Sequence, residues 1–433
     1  MNSVLADELQ IWGLENGFML YSDASLGFAL ALTPIDVSCW THERINATGE
    51  RVAQLLNGLP EGTDLQFVQE ITQGSEARLA AHHQLVAKAA DPLAIELRDA
   101  RVKQFRAFDQ AGKAPTHGLK LIVRRPMTGP LVNKPGLFGR AQLFHRLADE
   151  RLSREIATVE TFREGLMTEL AALGLAPRCL GADEILDGLY EQWNPVRGVP
   201  RGSIDSEDVR SALLFTDAVI DERGFGLGTM KHRVLSLKQL PDLTFTSQAA
   251  LLRDLPFDSK VFVSVHVPNQ LKEVEALQTQ RRFAFSMARG KTVGAADLDS
   301  EAKLHDLETL LEKLIAQGEK VFQVSFNVLL RAESEDELDR QVAQTLMLIR
   351  EMSGAEAMEE TVAAFPIFSE FALPNARAPE RTRRIKTSNL KDLLPLYGPW
   401  DGVGGASVLL RSRFGNLIGF DPFSPELPNA NQL

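Results

Sequence analysis

The stretch Phe322-Gln323-Val324-Ser325-Phe326-Asn327-Val328 alternates apolar and polar side chains at every step. A strand with one face on a core has that period of two, so the pattern predicts a half-buried β-strand. Val261, Val263, Val265 and Val267 repeat it, with Phe262, Ser264 and His266 on the opposite face. After Arg331 the period lengthens. Ser334 and Glu337 stand at capping-box spacing, Leu338, Val342, Leu346 and Ile349 form one helical stripe, and Gly354 ends the helix.

Set in order, the second half reads as a strand near 228–238, a short helix near 246–254, the valine strand, and a helical pair over 269–317. The 321–331 strand, the 334–354 helix and a short strand near 356–362 follow. Without the helical pair this is β-α-β-β-α-β, the split βαβ or ferredoxin-like order. The first half repeats it: strand 26–34, a helix through Val52 to Leu56, strand 64–72, helical material from Glu76 to about Gly112, strand 117–125 and a helix from Leu152 to Leu173. Leu59-Pro60 and Leu255-Pro256 follow the first helix of each half, and Arg124-Arg125 and Arg331 end the third strand of each. The expected fold class is therefore α+β: two ferredoxin-like units, each with a helical insertion, then a linker and a terminal β-ribbon. The rival reading is a chance recurrence of a common pattern. The boundaries follow as 1–190 for the first unit, 191–210 for a linker, 211–374 for the second unit, and 375–433 for linker and ribbon. Pro126–Gly139, Pro195–Asp208 and Leu373–Gly405 are the irregular stretches.

Composition narrows the class. A chain of 433 residues that is 44% hydrophobic can bury more than one core. No run approaches the roughly 18 to 20 apolar residues of a membrane span, and Asp7 and Glu8 stand where a signal peptide needs basic residues. A cytoplasmic or membrane-peripheral protein is the expectation. Cys39 and Cys179, far apart and outside any CxxC, read as reduced packing residues. The formal charge of −11 speaks against wrapping nucleic acid.

Catalytic motifs fail on inspection. Gly290-Lys291-Thr292 ends like a phosphate-binding loop, but Phe285 stands where that loop needs its first glycine. Gly224–Gly228 (GFGLG) has Thr229 where a dinucleotide fingerprint needs glycine or alanine, and its glycines precede a strand, so it reads as a turn. His82 and His83 point about 100° apart on a helix and cannot share an ion. His266 reads as a packed or surface residue. Neither GxSxG nor HExxH occurs. The expectation is no catalytic, cofactor-binding or metal residue.

One feature opposes the overall charge: Arg377, Arg381, Arg383, Arg384 and Lys386 within RAPERTRRIK. It is a candidate interdomain or partner contact, able to meet phosphate, a nucleic-acid strand or an acidic surface; an ordinary solvated linker is the plain alternative. Beyond it, ASVLLR and NLIGFD form a hairpin-like strand pair before a Pro-rich bend. From Lys386 onward the chain resembles the segment that precedes the P-loop in TraC-type ATPases of conjugative type IV secretion systems. Thr387, Pro395, Gly398, Gly402, Arg413, Phe420-Asp421-Pro422-Phe423 and Asn429/Asn431 carry the likeness. Upstream, VLSLKQLP, Arg331–Ser334 and Leu373-Pro374 carry it too.

The resemblance implies the N-terminal assembly and docking part of such an ATPase, non-catalytic by itself, with the P-loop domain expected after Leu433. ATP and Mg are then expected only in that domain. Its partners are that domain, other secretion components at the inner membrane, and further copies of itself in the full-length protein. The ribbon is expected to extend the ATPase domain's sheet and to be poorly satisfied alone. The alternative is a free-standing cytosolic module that binds protein or nucleic acid. An independent enzyme lacks an active site.

Overall fold

Leu59 and Leu255 each precede a proline, which disfavours helical backbone at the residue before it. Both are extended, at φ −64°, ψ 135° and φ −60°, ψ 125°, and each stops a helix at the same point of its half. The computed structural model describes residues 9–86, 91–127, 149–202, 209–210, 213–289, 298–316, 318–372, 381–404 and 408–425. Lys291, Arg377, Asn429 and Asn431 lie outside the described residues, as does most of Pro126–Gly139.

The first half runs β1 (Ile11–Glu15), β2 (Phe18–Tyr21), β3 (Ser25–Leu32), α1 (His42–Gly58), β4 (Asp64–Gln73), α2 (Glu76–Val86), α3 (Pro92–Gln110), β5 (Pro115–Pro126), α4 (Asp149–Leu173), β6 (Arg178–Cys179) and α5 (Ala182–Trp193). The second runs β7 (Ala218–Ile220), β8 (Phe225–Leu227), β9 (Met230–Gln239), a 3-10 helix (Gln248–Asp254), β10 (Ser259–His266), α6 (Gln270–Arg289), α7 (Leu298–Ala316), β11 (Val321–Ala332), α8 (Glu335–Glu351), β12 (Glu356–Glu360) and α9 (Ala364–Ala372). Last come β13 (Arg383–Lys386), α10 (Thr387–Leu393), β14 (Val408–Arg411) and β15 (Leu417–Phe420). The fold is mixed α/β. The short helix expected near 246–254 is a 3-10 helix, which suits a two-turn connection closed by Pro256.

Among the described residues thirteen strands form one sheet in the order β1-β2-β3-β5-β4-β10-β11-β9-β8-β7, with β6 on β3, β12 on β9 and β13 on β11. The pairings along it are antiparallel, and β4 meets β10 over eight residue pairs from Ser259↔Ile71 to His266↔Asp64. That seam makes the two halves one sheet. Helices α1, α4, α8 and α10 cover one face through Leu56, Leu170, Val342 and Leu390. On the other face lie α5 and α9, with Trp193 and Phe368 ring to ring at 5.0 Å.

Coverage on both sides corrects the expectation of a half-buried β11. Two of its polar positions are buried too: Ser325 and Asn327 are each 2% exposed, while Gln323 is half-buried. Burying them requires partners, and β9 and β11 itself supply them. Ser236 Oγ of β9 donates to Asn327 Oδ1 at 2.8 Å, and Asn327 Nδ2 in turn donates to Ser325 Oγ at 3.4 Å. The Ser334 cap forms as expected, its Oγ accepting from the Glu337 amide at 3.3 Å, and Gly354 follows at φ +78°.

The ribbon β14–β15 differs from expectation. It lies against the first half's helical hairpin, Leu409 and Leu417 burying with Leu79 and Phe105. Arg78 donates from Nη1 to the Leu417 carbonyl at 2.6 Å and from Nη2 to the Asp401 carbonyl at 2.6 Å. A lone two-stranded ribbon is marginal in water, and this hairpin gives it an apolar seat and a cationic clamp.

Candidate functional site

The last four residues of the segment read as a basic linker, Arg383–Lys386, form a strand. Val324↔Arg383, Gln323↔Arg384, Phe322↔Ile385 and Val321↔Lys386 pair β13 with the start of β11, where β9 leaves that edge free. Ile385, 4% exposed, anchors it in the core. Arg384 Nε meets Glu273 Oε2 at 2.8 Å, and Arg381 Nη2 meets Glu360 Oε2 at 3.2 Å. Arg383 is exposed. Lys386 sits beside the Lys313 ammonium, and burial together with that neighbour holds it below the ordinary lysine range. Four of the five predicted cations are thus placed on or next to one strand, and two of them are already matched by carboxylates.

Thr387 continues the strand into α10 and ties the halves together. Its amide donates to the Lys320 carbonyl at 3.0 Å, and its hydroxyl donates to Asn57 Oδ1 at 2.6 Å. Lys391 reaches Glu50 on α1, while Glu319 accepts from the Ser388 hydroxyl at 3.0 Å. Beneath α10, burial raises the Asp392 carboxyl against the hydrogen bonds of Thr244 and Thr246. A cleft of about 240 Å³ opens beside this segment, between α6, α7, β13, α10 and residues 240–244.

A second charged cluster crosses the seam between the halves. Glu70 on β4 receives Lys260 of β10 at 2.8 Å and Lys120 of β5 at 3.0 Å. Burial pushes its carboxyl up, but the two ammonium groups outweigh it and bring it down to about 2. Sequence reasoning missed this triad. Its signal was a charged residue inside each of three strand patterns, legible only once their registers are known.

The histidines take structural places. His266 Nδ1 lies 2.6 Å from Asp64 Oδ1 directly across the seam. His232 stacks on Phe225 at 4.9 Å, and burial, with the charge of Arg331, lowers it to about 3. Gly224–Gly228 forms β8 and the turns around it, Gly228 at φ +62°. Among the described residues no group of three His, Cys, Asp or Glu could hold a metal ion. No described helix is long and apolar enough to cross a membrane.

A protein-family model described as TraC protein matches residues 12–370. The chain belongs to the TraC protein family. The match spans both halves of the sheet and places the chain in conjugative transfer through type IV secretion. No curated protein matches the chain.

Proposed function

We propose that this chain is the docking and assembly part of a conjugative-transfer ATPase and performs no catalysis itself. The observation that carries this reading is the family match across residues 12–370, over a sheet whose two faces are both closed by helices. A sheet packed on both sides is a platform that holds its projecting elements in fixed relation. The two helical hairpins, α2–α3 and α6–α7, are such elements, and Leu97 and Phe283 on them are 63% and 68% exposed.

In this reading the halves are two ferredoxin-like units, 1–190 and 211–374, joined edge to edge. Supporting it, strand orders β6-β3-β5-β4 and β12-β9-β11-β10 are the same permutation, each with a helical hairpin between its second and third strands. Segment 375–433 leads toward an ATPase domain that holds ATP and Mg, and Arg381, Arg383, Arg384 and Lys386 mark an interdomain or partner contact. The chain works in the cytoplasm, peripheral to the inner membrane, among the other secretion components and further copies of itself. Nucleic-acid binding is disfavoured because Arg381 and Arg384 already face carboxylates.

The test is fractionation of donor cells carrying the tagged chain, with and without the remaining transfer genes. Recovery in the membrane fraction only when those genes are present, released by high salt, supports docking. Equal distribution in both strains, or ATPase activity of the purified chain, refutes it.

A further inference from the structure

The cleft beside β13 combines two chemistries. Its walls are apolar, from Leu240, Pro241, Leu277, Leu310, Val321 and Leu393. Its polar contributions come from Arg384, Lys386 and Asn389. Arg384 has its carboxylate in Glu273. Lys386 instead has a second ammonium beside it, that of Lys313, which stands one helical turn beyond Leu310 and so on the same face of α7. The nearby Glu319 carboxylate, which also accepts from the Ser388 amide and hydroxyl, sets one negative charge against the two ammonium groups. Two adjacent ammonium groups at an apolar hollow repel each other, and an anion placed between them removes that cost.

We propose that this cleft docks a partner-protein segment in which an apolar anchor is followed by carboxylates. The anchor fills the hollow and the carboxylates meet Lys313 and Lys386. Size and surroundings favour a protein segment over a free amphiphile. The cleft's 240 Å³ falls below the roughly 300 to 1,000 Å³ of small-molecule sites, and suits an anchoring side chain. Leu243, between the cleft residues Pro241 and Thr244, is 74% exposed and adds apolar surface that an extended segment covers. Charge complementarity sets the sign of the partner.

The inference rests on the docking reading, and its test is separate from fractionation. Methyl-labelled full chain is titrated with the peptides acetyl-LFDE-amide and acetyl-LFKK-amide, and with decanoate. The acidic peptide is expected to shift the methyl signals of Val321, Ile385 and Leu393, and the basic peptide to leave them in place. Lys313→Glu/Lys386→Glu should weaken the acidic peptide at least tenfold and admit the basic one. Unchanged Val52 and Leu56 signals report an intact fold, and Lys386→Gln serves if the double variant misfolds. No response to the acidic peptide, equal response to both peptides, or response to decanoate alone overturns the proposal. Such a failure leaves a membrane-fraction result standing.

Discussion

Glu70→Gln tests whether the seam between the two halves is held by charge as well as by backbone pairing. The wild-type carboxylate lies between Lys260 at 2.8 Å and Lys120 at 3.0 Å, and its side chain is 20% exposed. Its ordinary value of 4.5 falls to about 2 in the folded chain. A difference of about 2.5 on the pH scale corresponds to roughly 3.4 kcal/mol at about 1.36 kcal/mol per unit. Lys120 is 36% exposed, so solvent screening reduces the expected contribution to about 2 kcal/mol.

The sign follows from the direction of the perturbation. A carboxyl lowered by folding stabilises fully above its unfolded value, near 4.5, and loses that contribution as pH falls toward 2. Urea unfolding at pH 7, 5, 4 and 3 should therefore show the variant about 2 kcal/mol less stable at pH 7, with the two proteins converging below pH 4.5. Adding Lys260→Met to Glu70→Gln completes a double-mutant cycle and isolates the pair. A gap under about 0.5 kcal/mol at pH 7 would mean solvent already screens the triad, and one that stays constant down to pH 3 would mean the difference does not come from the carboxylate charge; either result refutes the charge contribution.

Arg78→Ala removes the clamp on the Leu417 and Asp401 carbonyls, so amides of 408–420 should exchange faster while those of 321–331 stay protected; equal exchange of the ribbon in both proteins refutes the clamp. At Gly402, φ is +84° and a Cβ would lie 2.1 Å from the Gly419 carbonyl oxygen, so Gly402→Ala should loosen the same ribbon in the same assay, without lowering protection of β10. Arg124, wholly buried, bonds Asp23 at 2.7 Å and lies 3.7 Å over the Tyr21 ring, so Asp23→Ala should cost about 1.5 to 3 kcal/mol in urea unfolding by removing a charge-assisted hydrogen bond from a buried guanidinium that keeps Ser25 and the nearby Asp64. Asn194 spends its whole side-chain amide on the Tyr190 and Leu213 carbonyls, the Phe215 amide and the Thr216 hydroxyl, and Asn194→Leu should cost about 2 to 4 kcal/mol, chiefly by leaving the Leu213 carbonyl and the Phe215 amide without that partner.

The sequence alone determined the elements whose patterns are periodic and locally closed. The β10 and β11 strands, the capped α8, the two helical insertions and the Leu-Pro helix stops are each specified by residues within one element or one turn. Small elements escaped. The hairpins β1–β2 and β7–β8 have strands of three to five residues, too short for a period to show, and α9 follows a strand with little punctuation.

Tertiary structure decided what depends on register and on coverage. That β4 pairs with β10 cannot be read from either strand, because any two compatible edges could meet; the pairing then put Glu70 opposite Lys260 and Asp64 opposite His266. The basic run is the clearest case. Its residues look like a solvated linker because Ile385 is the one large apolar side chain among them, yet the edge of β11 left free by β9 converts Arg383–Lys386 into a strand. Backbone hydrogen bonding at an open edge is indifferent to side-chain type, so charge composition carried no sign of it. The same holds for the ribbon: its apolar face was legible in Leu409 and Leu417, but its seat on Leu79 and Phe105 exists only because folding brings residues more than three hundred positions apart into contact.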